Sequence, residues 1–122
     1  LKLKGDSILK DAKLNNDIKF IYKKIDNMEF KELSFISNYL NNNDKLIQIY
    51  GLNNDKSQFY VSRSKDININ LQEIFKKIST KYNIKGGGSP NVVQGSSSPE
   101  DLKNIMDNFA NYIMKEIKVR WA

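Results

Sequence analysis

The stretch that most limits how this chain can fold is Lys85-Gly86-Gly87-Gly88-Ser89-Pro90-Asn91-Val92-Val93-Gln94-Gly95-Ser96-Ser97-Ser98. It holds four of the six glycines, and Pro90 together with Pro99 just beyond it are the only prolines. Glycine loses more backbone freedom on folding than any other residue. A compact domain keeps three in a row where φ is positive or where the backbone must come close to another group. Pro90 fixes φ and removes a donor, so the chain leaves the glycines extended. Val92-Val93-Gln94 reads as a short strand, and Ser98-Pro99-Glu100-Asp101 opens a helix with Ser98 as cap. That leaves the glycines as a loop between elements, where ligands are commonly met.

Hydrophobic spacing orders the rest. After a loose basic segment around Gly5, Ile8, Leu9 and Ala12 mark a short helix from Ser7 that reads as the end of a longer upstream one, and Asn15-Asn16-Asp17 breaks it. Ile18, Phe20 and Tyr22 alternate along a strand from Ile18 to Ile25. Asn27 is placed to cap a helix whose stripe is Phe30, Leu33, Ile36 and Leu40. Leu46 to Tyr50 and Gln58 to Ser62 form a hairpin, with Phe59 and Val61 on one side and Gln58, Tyr60 and Ser62 on the other. Asn70 with Glu73 makes a capping-box start for Leu71, Ile74, Phe75, Ile78 and Tyr82. The last helix carries Leu102, Ile105, Met106, Phe109, Ala110, Ile113 and Ile117, and its tail at 119–122, with Trp121, reads as frayed. Strands alternating with amphipathic helices predict a single α/β domain: a small mixed sheet of about four strands, packed with helices mainly on one face.

At 122 residues the chain is one domain, able to bury about two-thirds of its unfolded surface. It has no cysteine and no histidine, which removes disulfides, the commonest zinc ligands, and the Ser-His and Cys-His nucleophile pairs. Paired carboxylates occur at Asp26/Glu29 and Glu100/Asp101, where helix starts explain them. No cluster has metal-ligand spacing, and no run approaches the ~18 apolar residues of a spanning helix. The net charge of +6 rests on lysine, Arg63 and Arg120 being the only arginines. Such a balance suits a polyanion, with lysines as point charges on phosphate. A general bias toward Lys, Asn and Ile would raise the charge equally well without any partner. Leu1, in place of an initiator methionine, reads as a cut within a longer protein, with 1–16 the end of an upstream linker or helix and 17–122 the domain.

The glycine stretch resembles the signature of the DHH-associated domain found at the C-terminus of alanyl-tRNA synthetases and longer alanyl-tRNA editing proteins. Lys85, Gly86, Gly87, Gly88, Pro90 and Gln94 match that pattern, and Asn91 replaces its acid. Asn83 and Ile84 stand for its leading glycines, Ser89 for its arginine, and Ser96-Ser97 for its closing pair. The order of elements fits from about Ser7 to Lys118. The resemblance implies a module that docks the outer corner of tRNA-Ala for a separate aminoacylation or editing domain upstream. Zinc and the hydrolytic residues would belong to that other domain, with no cofactor in this chain, and the setting would be cytoplasmic. On this reading Lys85 and its neighbours meet phosphate, the glycines allow close approach, and Gln94 or Asn91 hydrogen-bond to RNA.

Lys85, Lys81, Arg63 and Lys65 are candidates for a basic rim, with Gly86, Gly87, Gly88, Ser89, Asn91 and Gln94 beside them; a solvated face is the plain alternative for any single lysine. The glycines could also cradle phosphate through backbone N–H groups, although no GKS or GKT follows as in a P-loop, or they could simply connect elements packed closely. Two other functions stay open. The chain could be the substrate-binding half of a DHH-family phosphoesterase, in which a triple glycine followed by histidine contacts the phosphate; Ser89 stands in that place here. It could instead be an interaction or homodimerisation module.

Overall fold

The computed structural model describes residues 2–53 and 55–121, without the side chains of Lys2 and of 119–121. The tail expected to be frayed is helical as far as Trp121, and what the Trp121 side chain touches lies outside the described side chains. The elements are α1 (Lys2–Lys10), β1 (Lys13–Asn15), β2 (Ile18–Ile25), α2 (Phe30–Leu40), β3 (Leu46–Asn53), β4 (Ser57–Arg63), α3 (Leu71–Ser79), β5 (Lys85–Gly88), β6 (Val92–Ser97) and α4 (Leu102–Trp121). One six-stranded mixed sheet runs in the order β1-β2-β3-β4-β6-β5. β2 and β3 are parallel, joined through α2, and every other pairing is antiparallel.

The sheet has more strands than the expected four or so because two turn-like stretches are hairpins. Asn16 and Asp17 both adopt positive φ, 51° and 65°, and join β1 to β2. Two residues with positive φ are what a tight type I′ turn requires, and Asn and Asp tolerate that region. The glycines form the second unexpected strand, β5. The N-terminal helix starts before Ser7 and runs through Gly5, whose missing side chain lets Tyr39 come close; a Cβ there would lie 3.2 Å from the Tyr39 ring.

Caps moved where local bonds differ from the sequence reading. Glu29, not Asn27, precedes α2, and Asn27 itself turns the chain with φ 59°. Asn70 does cap α3, accepting the Glu73 N–H at 3.2 Å. At α4 the chain first makes a turn, Asp101 N–H to Ser98 O at 3.1 Å, and Ile105 N–H then bonds Asp101 O at 2.9 Å. The helix thus begins three residues later than the Ser98 cap implied.

Helices cover both faces, not mainly one. On one face Ile18, Ile47, Ile49, Phe59, Val61 and Val93 pack against Leu71, Ile74 and Ile78 of α3 and the whole α4 stripe. On the other, Ile21, Ile25, Leu46, Tyr50, Leu52 and Tyr60 pack against Ile8 of α1 and Leu33, Ile36 and Leu40 of α2. Strands buried on both faces lose the clean alternation of a half-exposed sheet; β3 is buried from Leu46 through Leu52. Gly51 admits α4, since a Cβ would sit 2.6 Å from Met106 Sδ. Beneath α2 a buried polar network replaces apolar packing. Gln48 Nε2 donates to Asn41 Oδ1 at 2.9 Å and to Ser37 O at 3.2 Å, Tyr50 Oη donates to Gln48 Oε1 at 2.5 Å, and the Ser37 and Ser62 hydroxyls lie 2.8 Å apart.

Candidate nucleic-acid interface

β5 is an edge strand made almost wholly of glycine, and its three glycines are not equivalent. Gly86 has φ 141°, and a Cβ there would meet Gln94 O at 2.1 Å; Gly88 has φ 157°, and a Cβ would meet Val92 O at 2.1 Å. Both positions need glycine for the ladder to form. At Gly87 a Cβ would have nothing within 4 Å. Folding gives no steric reason for glycine there, and the bare backbone leaves a flat spot on the surface.

The register shows what surrounds that spot. Gly87 stands opposite Gln94, which stands opposite Tyr60. Lys85 stands opposite Ser96, which stands opposite Gln58. Directly opposed residues share a face, and Tyr60 belongs to the face covered by α1 and α2. That covering ends at Phe30, whose ring meets Tyr60 edge-on at 5.6 Å. Beyond it Gln94 and Lys85 are exposed, and Gln58, Ser96 and Gly87 are half-buried. The result is an open polar shelf at the β5–β6 end of the sheet, with one lysine at its rim.

The free edge adds backbone donors. Ser89 N–H bonds Val92 O at 2.8 Å, so by alternation Gly87 and Gln94 exchange ladder bonds while the N–H and C=O groups of Gly86 and Gly88 point outward. Gln72 Nε2 of α3 already donates to Gly88 O at 3.0 Å. Ser89 and Asn91 shape the tip: Asn91 N–H donates to Ser89 Oγ at 3.3 Å, Leu71 N–H to Pro90 O at 3.0 Å, and Arg63 N–H to Asn91 O at 3.1 Å.

The structure does not gather the other cations here. Arg63 is half-buried, with Nε donating to Ile69 O at 2.6 Å and Nη1 to Ser64 O at 3.3 Å; burial lowers its pKa. It clamps the segment leading into α3. Lys65 is exposed two residues past the far end of β4, which itself lies about 17 Å along the strand from Gln58 at ~3.3 Å per residue. Lys81 lies on the opposite side of the sheet, its Nζ 3.4 Å from Tyr112 Oη on α4. The sequence reading missed Gln58 and Ser96, which enter through strand register alone. It also missed Lys77 and Tyr112 beside Lys81, where only the four-residue Lys77–Lys81 spacing was a signal. Among the described residues no group of three or more acidic side chains could hold a metal, and no helix is long and apolar enough to cross a membrane.

A family model described as the DHHA1 domain matches residues 17–115. This chain belongs to the DHHA1 domain family. The DHHA1 domain here is 30% identical over 119 residues to an alanine–tRNA ligase of Francisella philomiragia, covering 93% of the chain and 14% of that protein. It is 32% identical over 111 residues to an alanine–tRNA ligase of Endomicrobium trichonymphae, covering 87% and 12%. The chain thus spans a small part of the relatives it matches. In fold it is similar to the C-Ala domain of Aquifex aeolicus alanyl-tRNA synthetase, with TM-score 0.61 and 21% identity over 81% of this chain and 97% of that one. It is also similar in fold to a pGpG-specific phosphodiesterase of Vibrio cholerae, with TM-score 0.56 and 16% identity over 93% and 38%.

Proposed function

We propose that this DHHA1 domain docks the outer corner of tRNA-Ala and holds it for a separate aminoacylation or editing domain of an alanine–tRNA ligase or alanyl-tRNA editing protein. The chain itself performs no catalysis in this reading, zinc belongs to the other domain, and the setting is cytoplasmic. The observation that carries it is Gly87, a glycine with no steric role in the fold, set between exposed Lys85 and exposed Gln94. A side-chain-free strand lets an RNA backbone or unstacked base approach the sheet, Gln94 offers an amide to it, and Lys85 meets a phosphate. The relatives named as alanine–tRNA ligases support the choice of RNA. The test is binding of tRNA-Ala to the 122-residue chain: Gln94→Ala and Lys85→Ala each weaken it about 5- to 10-fold, an effect of ~1 kcal/mol, with Tm unchanged. Unchanged binding in both variants contradicts the reading.

The fold likeness to a pGpG-specific phosphodiesterase favours a second reading, the substrate-binding half of a phosphoesterase. The outward N–H groups of Gly86 and Gly88 would then take a phosphate. Binding of pGpG with no binding of tRNA selects it.

A further inference from the structure

We infer that Lys77, Lys81 and Tyr112 form a second phosphate-contact site, on the opposite side of the sheet from the shelf, which the same RNA reaches by passing around the β5 edge. The inference rests on the RNA-docking reading for its ligand, and on separate geometry for its place. Lys77 Nζ lies 5.5 Å and Lys81 Nζ 5.6 Å from the centroid of the Tyr112 ring. Lys81 Nζ is also 3.4 Å from Tyr112 Oη. Both lysines are exposed and Tyr112 is half-buried. None of the ion pairs among the described residues involves Lys77 or Lys81.

Lys77 in the last turn of α3 and Lys81 just beyond its end carry like charges that repel at close range, yet both ammonium groups lie beside one ring. The ring attracts Lys77 and the phenol oxygen accepts from Lys81, and neither carries a net charge to neutralise them. The arrangement brings two ammonium groups together with no ion-pair partner for either among the described residues, and a phosphodiester would supply that partner. Lysine suits that role as a point charge on phosphate. The position also fits: Lys81 is followed after three residues by Lys85 at the start of β5, at most about 14 Å of extended chain away. The two contacts thus flank one edge of the sheet.

The test measures tRNA-Ala affinity of the 122-residue chain across a salt series. Each lysine–phosphate contact contributes about 0.7–0.9 to the slope of log K against log salt. The double variant Lys77→Gln/Lys81→Gln is expected to lower the slope by about 1.4–1.8. A control of equal charge change at the far edge, Lys13→Gln/Lys19→Gln, leaves the slope unchanged. A wild-type slope in the Lys77/Lys81 variant, or an equal drop in the control, overturns this site while RNA docking by the shelf stands. Failure of the wild-type chain to bind tRNA at low salt overturns both.

Discussion

Gly87 faces Gln94 across the β5–β6 ladder with open space where a side chain would be, while Gly86, one residue earlier, would drive a Cβ to 2.1 Å from the Gln94 carbonyl. Neighbouring glycines in one run therefore answer to different demands. Gly86→Ala should cost more than about 2 kcal/mol, because backbone strain at positive φ adds to a backbone overlap that cannot relax. Gly87→Ala should change stability by less than about 0.5 kcal/mol. Urea unfolding of the two variants checks both values.

The polar network under α2 should be costly to break from one side. Gln48 serves Tyr50, Asn41 and Ser37 together, and all buried polar side-chain atoms among the described residues have partners. Gln48→Ala strands the Tyr50 hydroxyl and opens a cavity, with an expected loss of about 3 kcal/mol. Tyr50→Phe removes one bond and should lose about 1–2 kcal/mol. Denaturant midpoints at constant m-value measure the difference.

Acid should weaken the fold through two carboxyls. The Tyr22 hydroxyl, with help from Lys103, lowers the Asp107 pKa. At Asp66 burial pushes upward, but the Ser64 hydroxyl and the Lys45 N–H outweigh it and the net shift is down. Both groups are depressed in the folded chain, so their stabilisation is complete above the unfolded value of about 4 and is lost as pH falls through the lower folded values. Asp66→Asn and Asp107→Asn should each flatten the decline in stability below about pH 4. An unchanged pH profile in both would contradict the assigned contacts.

Arg63 should prove structural. Its guanidinium holds the Ile69 and Ser64 carbonyls at the approach to α3. Arg63→Ala is expected to lower stability by about 1–3 kcal/mol by stranding those acceptors, with no change in the salt slope of RNA binding.

Helix stripes were legible because burial on one side repeats at 3.6 residues, and α3 and α4 carry long, regular stripes. The β3–β4 hairpin was legible from β-rich runs around turn residues. The β1–β2 hairpin was not, because Lys13-Leu14-Asn15 is too short to show alternation, and its positive-φ turn looked like a helix stop. β5 was hidden by composition: glycine reads as loop, and only pairing with Val93 to Ser96 makes it a strand. At the site, Lys85 and Gln94 could be named from sequence, but Gln58 and Ser96 join them through register across three strands. Arg63 was misleading for an opposite reason, since a cation in a short motif does not reveal that backbone carbonyls already hold it.

The most direct measurement compares tRNA-Ala with a duplex RNA of matched charge, for wild type and Gly87→Val, across a salt series. Wild type is expected to prefer the folded tRNA at moderate salt. Gly87→Val is expected to keep its Tm within about 2 °C and to lose that preference. Equal, salt-labile binding of both RNAs by both proteins would contradict RNA docking by the shelf, leaving the +6 charge as a nonspecific attraction.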